Sequence, residues 1–303
     1  MLSLDNFDPP VGRPEVLAPG LRRILAPNPS PMTYRGTNTY LVGDSDIAVI
    51  DPGPLDTAHL DAILDALGPA QRISHIIVSH AHLDHAPLSA ALQEACGAPI
   101  YGFGPAEKGR SAVMQRLAES GLMGGGEGVD HAFDPDCTVA DGDLIEGAGW
   151  RLRVLHTPGH IGNHICLAWD NLCFTADHVM GWASSLVSPP DGDLTDFMRS
   201  CRRLRRHHWQ CFYPGHGDVV PDPQGRLDWL ISHRLAREAA ILDALAAGPR
   251  DAHGLTQMIY GDTPAGLISA ATRNVLAHLI DLVGKNKIAP KDPLRAETLF
   301  HLV

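Results

Sequence analysis

Positive charge is scarce in this chain. Across 303 residues, 24 Lys and Arg stand against 35 Asp and Glu, a formal net charge of -11. A surface built mainly to hold nucleic acid needs clustered cations for the phosphates, so that class is disfavoured, while a local basic patch stays open. Long apolar runs are missing as well: none approaches the roughly 20 residues that span a bilayer. The opening MLSLDNFDPPVGRPE has too few apolar residues and too much proline for a secretory leader. No membrane association and a cytoplasmic location are therefore expected. The six cysteines, Cys96, Cys137, Cys166, Cys173, Cys201 and Cys211, form no CxxC pair and sit mostly in apolar contexts. They read as reduced thiols, which excludes a disulfide scaffold. There is no repeat of fixed period and no low-complexity tract. At 44% hydrophobic and 19% charged, the chain is equipped to bury a large core.

What it has in abundance is histidine, 17 residues in all. Four of them and an aspartate fall within HIIVSHAHLDHAP, residues 75–87, directly after the apolar run Ile76, Ile77, Val78. In a strand, His80, His82 and Asp84 would share one face with His85 opposite, and a helix would scatter all four. Only a turn lets them converge. Pro87 and the helix-forming run Leu88 to Cys96 place a helix just past that turn, with Asp84 as a candidate N-cap. Three more strand-like runs end in the same kind of residue: LRVLHTPGH in His156 and His160, LCFTADH in Asp177 and His178, CFYPGHG in His216. Strand ends on one sheet edge can meet in space however far apart they lie in sequence. The neighbouring Pro158, Gly159, Pro214, Gly215 and Gly217 supply the tight turns this requires.

Other runs fill in the frame. TNTYLVG, IAVIDPG, PIYGF and HICLAW read as strands and Ala58 to Leu67 as an amphipathic helix, so the pattern is mixed α/β with antiparallel and parallel connections. Glu119 to Asp143 is Gly- and Asp-rich and reads as a surface loop. Seven side chains, His80, His82, Asp84, His85, His160, Asp177 and His216, are too many for one tetrahedral ion. Two ions fit better, with three ligands each, one shared carboxylate and a position left for bridging water. Nitrogen and oxygen ligands without thiolate favour zinc and also accept iron or manganese.

SHAHLDH, TPGH, TADH and PGHG, in that order, resemble the ligand motifs of the metallo-β-lactamase superfamily. The resemblance implies an αββα sandwich of two mixed sheets with helices outside and metals at one edge. It assigns His80, His82 and His160 to one ion, Asp84, His85 and His216 to the other, and Asp177 to both. NPSPMTYRGTNTYLVG, RVLHTPGH followed by His164, YPGHGDVV and ISHR are similar to the mitochondrial β-lactamase-like endoribonuclease group and its bacterial relatives. That likeness implies a catalytic domain over 1–225 and a small winged-helix-like domain over 226–303. Long helical runs over Arg226 to Ala247 and Leu267 to Val283, a shorter one over Leu255 to Tyr260, and a short KNKI strand suit it. From residue 226 on, nine Lys and Arg against eight Asp and Glu make a poor phosphate-binding face. Packing or homodimerisation is the role expected of that domain.

The chemistry expected is hydrolysis by a hydroxide bridging two zinc ions, with Asp84 both ligand and proton carrier. Asp51, in VIDPG, could accept a hydrogen bond from a liganding histidine or merely shape a turn. His164 and His178 could reach substrate or support ligands, or simply pack. Tyr34 and Arg35 lie in the loop the resemblance places over the metals, where an arginine could clamp a phosphate or carboxylate. Met198 to Trp209 carries five arginines and reads as a helix with a solvated basic face, with RNA contact as the sharper alternative. Three functions stay open: a phosphodiesterase or endoribonuclease on single-stranded RNA; a carboxylic ester, thioester or lactone hydrolase; and a noncatalytic metal-stabilised binding or scaffold module.

Overall fold

Strand β4, Asp46–Ile50, sets the layering by its alternation. Ile47 and Val49 enter one apolar cluster, Ala48 and Ile50 another. Side chains of period two face opposite ways, so a strand apolar on both faces is covered on both. The computed structural model, which describes residues 7–122, 128–294 and 297–303, places β4 at the centre of a seven-stranded sheet.

That sheet runs in sequence order: β1 Glu15–Ala18, β2 Leu21–Leu25, β3 Asn38–Val42, β4, β5 Arg72–Ile77, β6 Ile100–Gly102 and β7 Cys137–Thr138. β1 to β4 pair antiparallel, and β4 to β7 parallel. Helices α1, Thr57–Asp65, and α2, Leu88–Cys96, provide the crossovers and cover the outer face through Ile63, Leu88 and Leu92. Asp56 caps α1 by accepting from His59 N at 2.8 Å. Helix α3, Ala112–Glu119, follows β6. Of Glu119 to Asp143, expected to be loop, residues 123–127 lie outside the described residues, and the remainder includes β7.

A second sheet takes the order β12-β11-β10-β9-β8, with β8 Leu144–Gly147, β9 Trp150–His156, β10 Ile165–Trp169, β11 Leu172–Ala176 and β12 Cys211–Pro214. Its inner face (Trp150, Leu152, Val154, Ile165, Leu167, Phe174) meets Leu21, Tyr40, Val42 and Ile50 of the first sheet. Its outer face is covered by α4, Leu194–Leu204, and the start of α5, Pro223–Ala246, through Phe197, Cys201, Leu204 and Leu227. The result is the expected αββα sandwich.

The C-terminal part packs α5 with α6, Ala252–Ile259, and α7, Ile268–Gly284. A hairpin of β13, Ile288–Pro290, and β14, Phe300–Leu302, completes it around Leu255, Val275, Leu279 and Phe300. This is a winged-helix arrangement, with the expected KNKI strand beginning only at Ile288. Among the described residues no helix is long and apolar enough to cross a membrane. All six cysteines are free, as their contexts implied.

Candidate metal centre

β4 and β5 run parallel, as do β11 and β12, and β9 points the same way as β11 because β10 is antiparallel to both. Their carboxyl ends therefore share edges, and the chemistry-bearing residues follow immediately: Asp51 after β4, His80 to His85 after β5, His160 after β9, Asp177 after β11, His216 after β12. Small residues permit the approach. A Cβ on Gly215 would stand 2.5 Å from Asp177 Oδ1 and 2.7 Å from His85 Cε1. Gly159, at φ 146°, would drive a Cβ to 2.3 Å from the Phe197 backbone.

The seven expected residues form two adjoining groups, His80, His82 and His160, and Asp84, His85, Asp177 and His216, each with ligand atoms within 4.8 Å of one another. In the first, His82 Nδ1 is 3.0 Å from both His80 Nε2 and His160 Nε2. In the second, His85 Nε2 lies 3.3 Å from His216 Nε2 and 3.4 Å from Asp177 Oδ1. His216 Nε2 is 3.1 Å from Asp84 Oδ2 and 3.3 Å from Asp177 Oδ2. Asp177 also reaches the first group, its Oδ2 3.7 Å from His160 Nε2.

Tautomers follow from the other ring nitrogens. His160 Nδ1 faces Leu186 O at 2.6 Å and His216 Nδ1 faces Gly36 O at 3.1 Å. A carbonyl only accepts, so both rings carry a proton on Nδ1, and Nε2 is the ring nitrogen turned toward the group, able to ligate once it carries no proton. His85 Nδ1 donates to Asp51 Oδ2 at 2.9 Å. Ser79 Oγ donates to the same carboxylate at 2.7 Å, leaving its oxygen to accept from His80 Nδ1 at 2.9 Å. Three imidazole nitrogens thus meet in the first group, and two imidazoles face two carboxylates in the second; each set could hold a metal ion. Electrostatics agree. Burial holds His80 and His160 below the ordinary histidine range and lowers His82 to about 3, so this group stays neutral and basic toward a metal. Burial also disfavours charge on His216, yet Asp177 and Asp84 outweigh it and raise the ring to about 10. Burial would raise the Asp177 and Asp84 carboxyls, but the facing histidines hold both well below the usual range. The second group calls for positive charge; nitrogen and oxygen donors without thiolate suit a divalent ion there.

The remaining expectations divide. Asp51 accepts from His85 Nδ1 and from Ser79, which in turn faces His80, and it also turns the chain at φ 51°. Asp84 is no N-cap, since α2 starts at Leu88 with Pro87 in the cap position and no side-chain cap. His164 and His178 pack behind the grouped residues: His164 bonds Thr157 Oγ1 and sits 5.1 Å from the His80 ring, while His178 contacts Cys201 and Phe197. Arg35 is exposed, 3.7 Å from Asp8, Tyr34 stacks on Trp182 at 5.2 Å, and neither lines the cavity beside the grouped residues. It is Pro31, Met32 and Thr33 from that loop that reach the cavity. The arginine-rich segment forms α4 as far as Leu204, with Arg199, Arg203 and Arg205 paired to Asp196, Asp141 and Asp228. Arg199, Arg202, Arg203 and Arg206 line a groove to which none of the seven grouped residues contributes, because the buried stripe Phe197, Cys201, Leu204 turns the basic face away from the sandwich.

A cavity of ≈ 520 Å³ opens onto His82, Asp84, His160 and Asp177. Met32, Leu83, Met180, Trp182 and Leu186 form its near walls, and Tyr260, Leu267, Ala270 and Ala271 the far one. Packing or homodimerisation was the role expected of the C-terminal domain; its helices complete this cavity, which sequence reasoning missed because no periodicity marks the face that does so.

Residues 32–241 match a protein-family model described as the metallo-beta-lactamase superfamily, and residues 252–292 match the beta-lactamase associated winged helix domain. The chain is 31% identical to the beta-lactamase-like protein 2 homolog of Drosophila melanogaster, over 88% of this chain and 88% of that one. It is 28% identical to an atrochrysone carboxyl ACP thioesterase of Aspergillus fumigatus, over 88% of this chain and 78% of that one. A solved metallo-beta-lactamase family protein from Thermus thermophilus is 26% identical, with a TM-score of 0.76 and coverage of 95% of this chain and 100% of that one.

Proposed function

The chain belongs to the metallo-beta-lactamase superfamily, and we propose that it is a zinc-dependent binuclear hydrolase of carboxylic thioesters or esters whose acyl part is apolar. One observation carries the substrate class: the cavity that opens onto the two groups is walled mostly, though not wholly, by apolar side chains, among them Met32, Leu83, Met180, Trp182, Leu186 and Leu267. An acyl chain gains about 0.8 kcal/mol per methylene buried against such a wall, whereas a ribose-phosphate backbone would leave its charge facing hydrocarbon. The thioesterase named among the relatives supports the same class. The catalytic part is taken as 1–225, with 226–303 supplying the far wall.

When bound, two divalent ions lower the pKa of a coordinated water and polarise the carbonyl to be attacked. The protein's own part is to hold both positions. His80, His82 and His160 would keep one ion, Asp84, His85 and His216 the other, with Asp177 serving both. Asp51 fixes His85 and, through Ser79, His80. Asp84 also lines the cavity, and we assign it the further part of passing a proton to the leaving group.

Activity of the zinc-loaded protein on acyl thioesters of increasing chain length, set beside single-stranded RNA and a phosphodiester, tests the reading. kcat/KM is expected to rise by up to about fourfold per methylene until the cavity is filled, with RNA turned over far more slowly. Faster cleavage of RNA than of any thioester or ester, without chain-length dependence, would contradict it.

A further inference from the structure

Among the polar side chains in the C-terminal wall of the cavity, which also holds His233, Tyr260 and Thr263, two act together: Arg234 on α5, only 2% exposed, and Asn274 on α7. Their hydrogen bonds converge on one short segment. Asn274 Oδ1 accepts from Val187 N at 3.0 Å and from Arg234 Nη1 at 3.0 Å, while Arg234 Nη2 donates to Ser185 O. The backbone is thereby held on both sides of Leu186. The carbonyl of Leu186 is the group that accepts from His160 Nδ1 at 2.6 Å and so fixes that ring's tautomer and direction. Ser185 Oγ, in the same segment, also donates to the carbonyls of Asp177 and His178. Among the described residues no carboxylate pairs with Arg234. A buried, unpaired guanidinium is costly, and two hydrogen bonds use only part of its five N–H groups. Its placement is explained by what it holds.

We propose that Asn274 and Arg234 are positioning residues through which the C-terminal domain sets the affinity of the His80–His82–His160 group for its ion. The inference rests on the reading of that group as a metal site. The path is continuous: α7 and α5 fix residues 185–187, Leu186 O orients His160, and His160 presents Nε2. Groups that orient a liganding histidine through its second nitrogen typically change metal affinity by about 10- to 100-fold when removed. Asn274→Ala removes both accepted hydrogen bonds and places a strong helix former inside α7, so the helix itself is not weakened. Asn274→Asp keeps an acceptor in place and adds a charge complementary to Arg234.

The test is zinc competition against a chromophoric chelator, using the full chain. Asn274→Ala is expected to weaken one of the two zinc dissociation constants by about 10- to 100-fold, the same one that His160→Ala weakens, and to leave the other unchanged. Asn274→Asp should restore wild-type affinity. Turnover of Asn274→Ala should be low at limiting zinc and recover with excess, which a purely structural defect would not do. Arg234→Lys, which retains the charge but cannot make both contacts, should weaken the same constant to a smaller degree and serves if Asn274→Ala fails to fold. Unaltered zinc constants in the folded variants, or equal weakening of both, would overturn the proposal. Wild-type protein that binds no zinc would overturn the metal reading itself, before any variant is compared.

Discussion

Asp51 shows how much a single carboxylate can organise. It accepts from His85 Nδ1, Ser79 Oγ and Ser79 N while nearly inaccessible to water. Asp51→Ala is expected to lower affinity for the ion of the second group by about 10- to 100-fold, measured by chelator competition, with far-UV circular dichroism unchanged. A second residue-scale expectation concerns pH. Burial lowers His59 to about 4 and His82, His178 and His278 to about 3. Below the ordinary histidine value of ~6.5 the unfolded chain binds protons these four refuse, so stability falls as pH drops. His216 works the other way: raised to about 10, it contributes stability that is lost as pH rises through that value. Chelator-treated protein should melt at lower temperature at pH 5 than at pH 7, and lower again near pH 10; a flat profile from pH 5 to 7 would contradict this. All seven grouped residues were legible because ligand-type side chains recur beside glycine and proline at strand ends. The carbonyls of Leu186 and Gly36, which orient His160 and His216, were not, since a backbone acceptor leaves no mark in residue type.

At the scale of elements, the turn after β12 is the sensitive point. Gly215→Ala would bring a Cβ to 2.5 Å from Asp177 Oδ1 and 2.7 Å from His85 Cε1, two side chains of the second group, with the nearest backbone atom, Ala176 C, farther off at 3.3 Å. The expected outcome is loss of zinc from the second group and at least a hundredfold fall in turnover, with a melting temperature of the metal-free protein within a few degrees of wild type. Elemental analysis with calorimetry checks both. Strands β3, β4, β5 and β9 to β12 were legible from apolar runs. β2 was hidden by two arginines in LRRIL, one of which, Arg23, is buried and paired with Glu15 at 2.6 Å. α4 begins at Leu194, four residues before the basic run, because Asp193 caps it by accepting from Thr195 N at 2.8 Å. The signal lay in DGDLTD, which the arginines overshadowed.

For the whole molecule, the central relation is between two His/Asp groups at the sandwich edge that could hold metal ions and one largely apolar cavity closed by the C-terminal helices. Composition pointed to the first through its histidines; nothing in it pointed to the second, because contacts such as Val187 with Asn274 join segments 87 residues apart. Asp177 links the two groups, with oxygens 3.4 Å from His85 Nε2, 3.3 Å from His216 Nε2 and 3.7 Å from His160 Nε2. Asp177→Ala should therefore weaken both ions, whereas His80→Ala should weaken one; retention of two ions at native affinity in Asp177→Ala would remove the shared role. The most direct measurement is a zinc titration of the metal-free protein with thioester hydrolysis and bound metal followed together. Activity should saturate as the second equivalent binds. Full activity at a single tightly bound ion, unaffected by a second, would contradict the binuclear site on which the proposed hydrolysis rests.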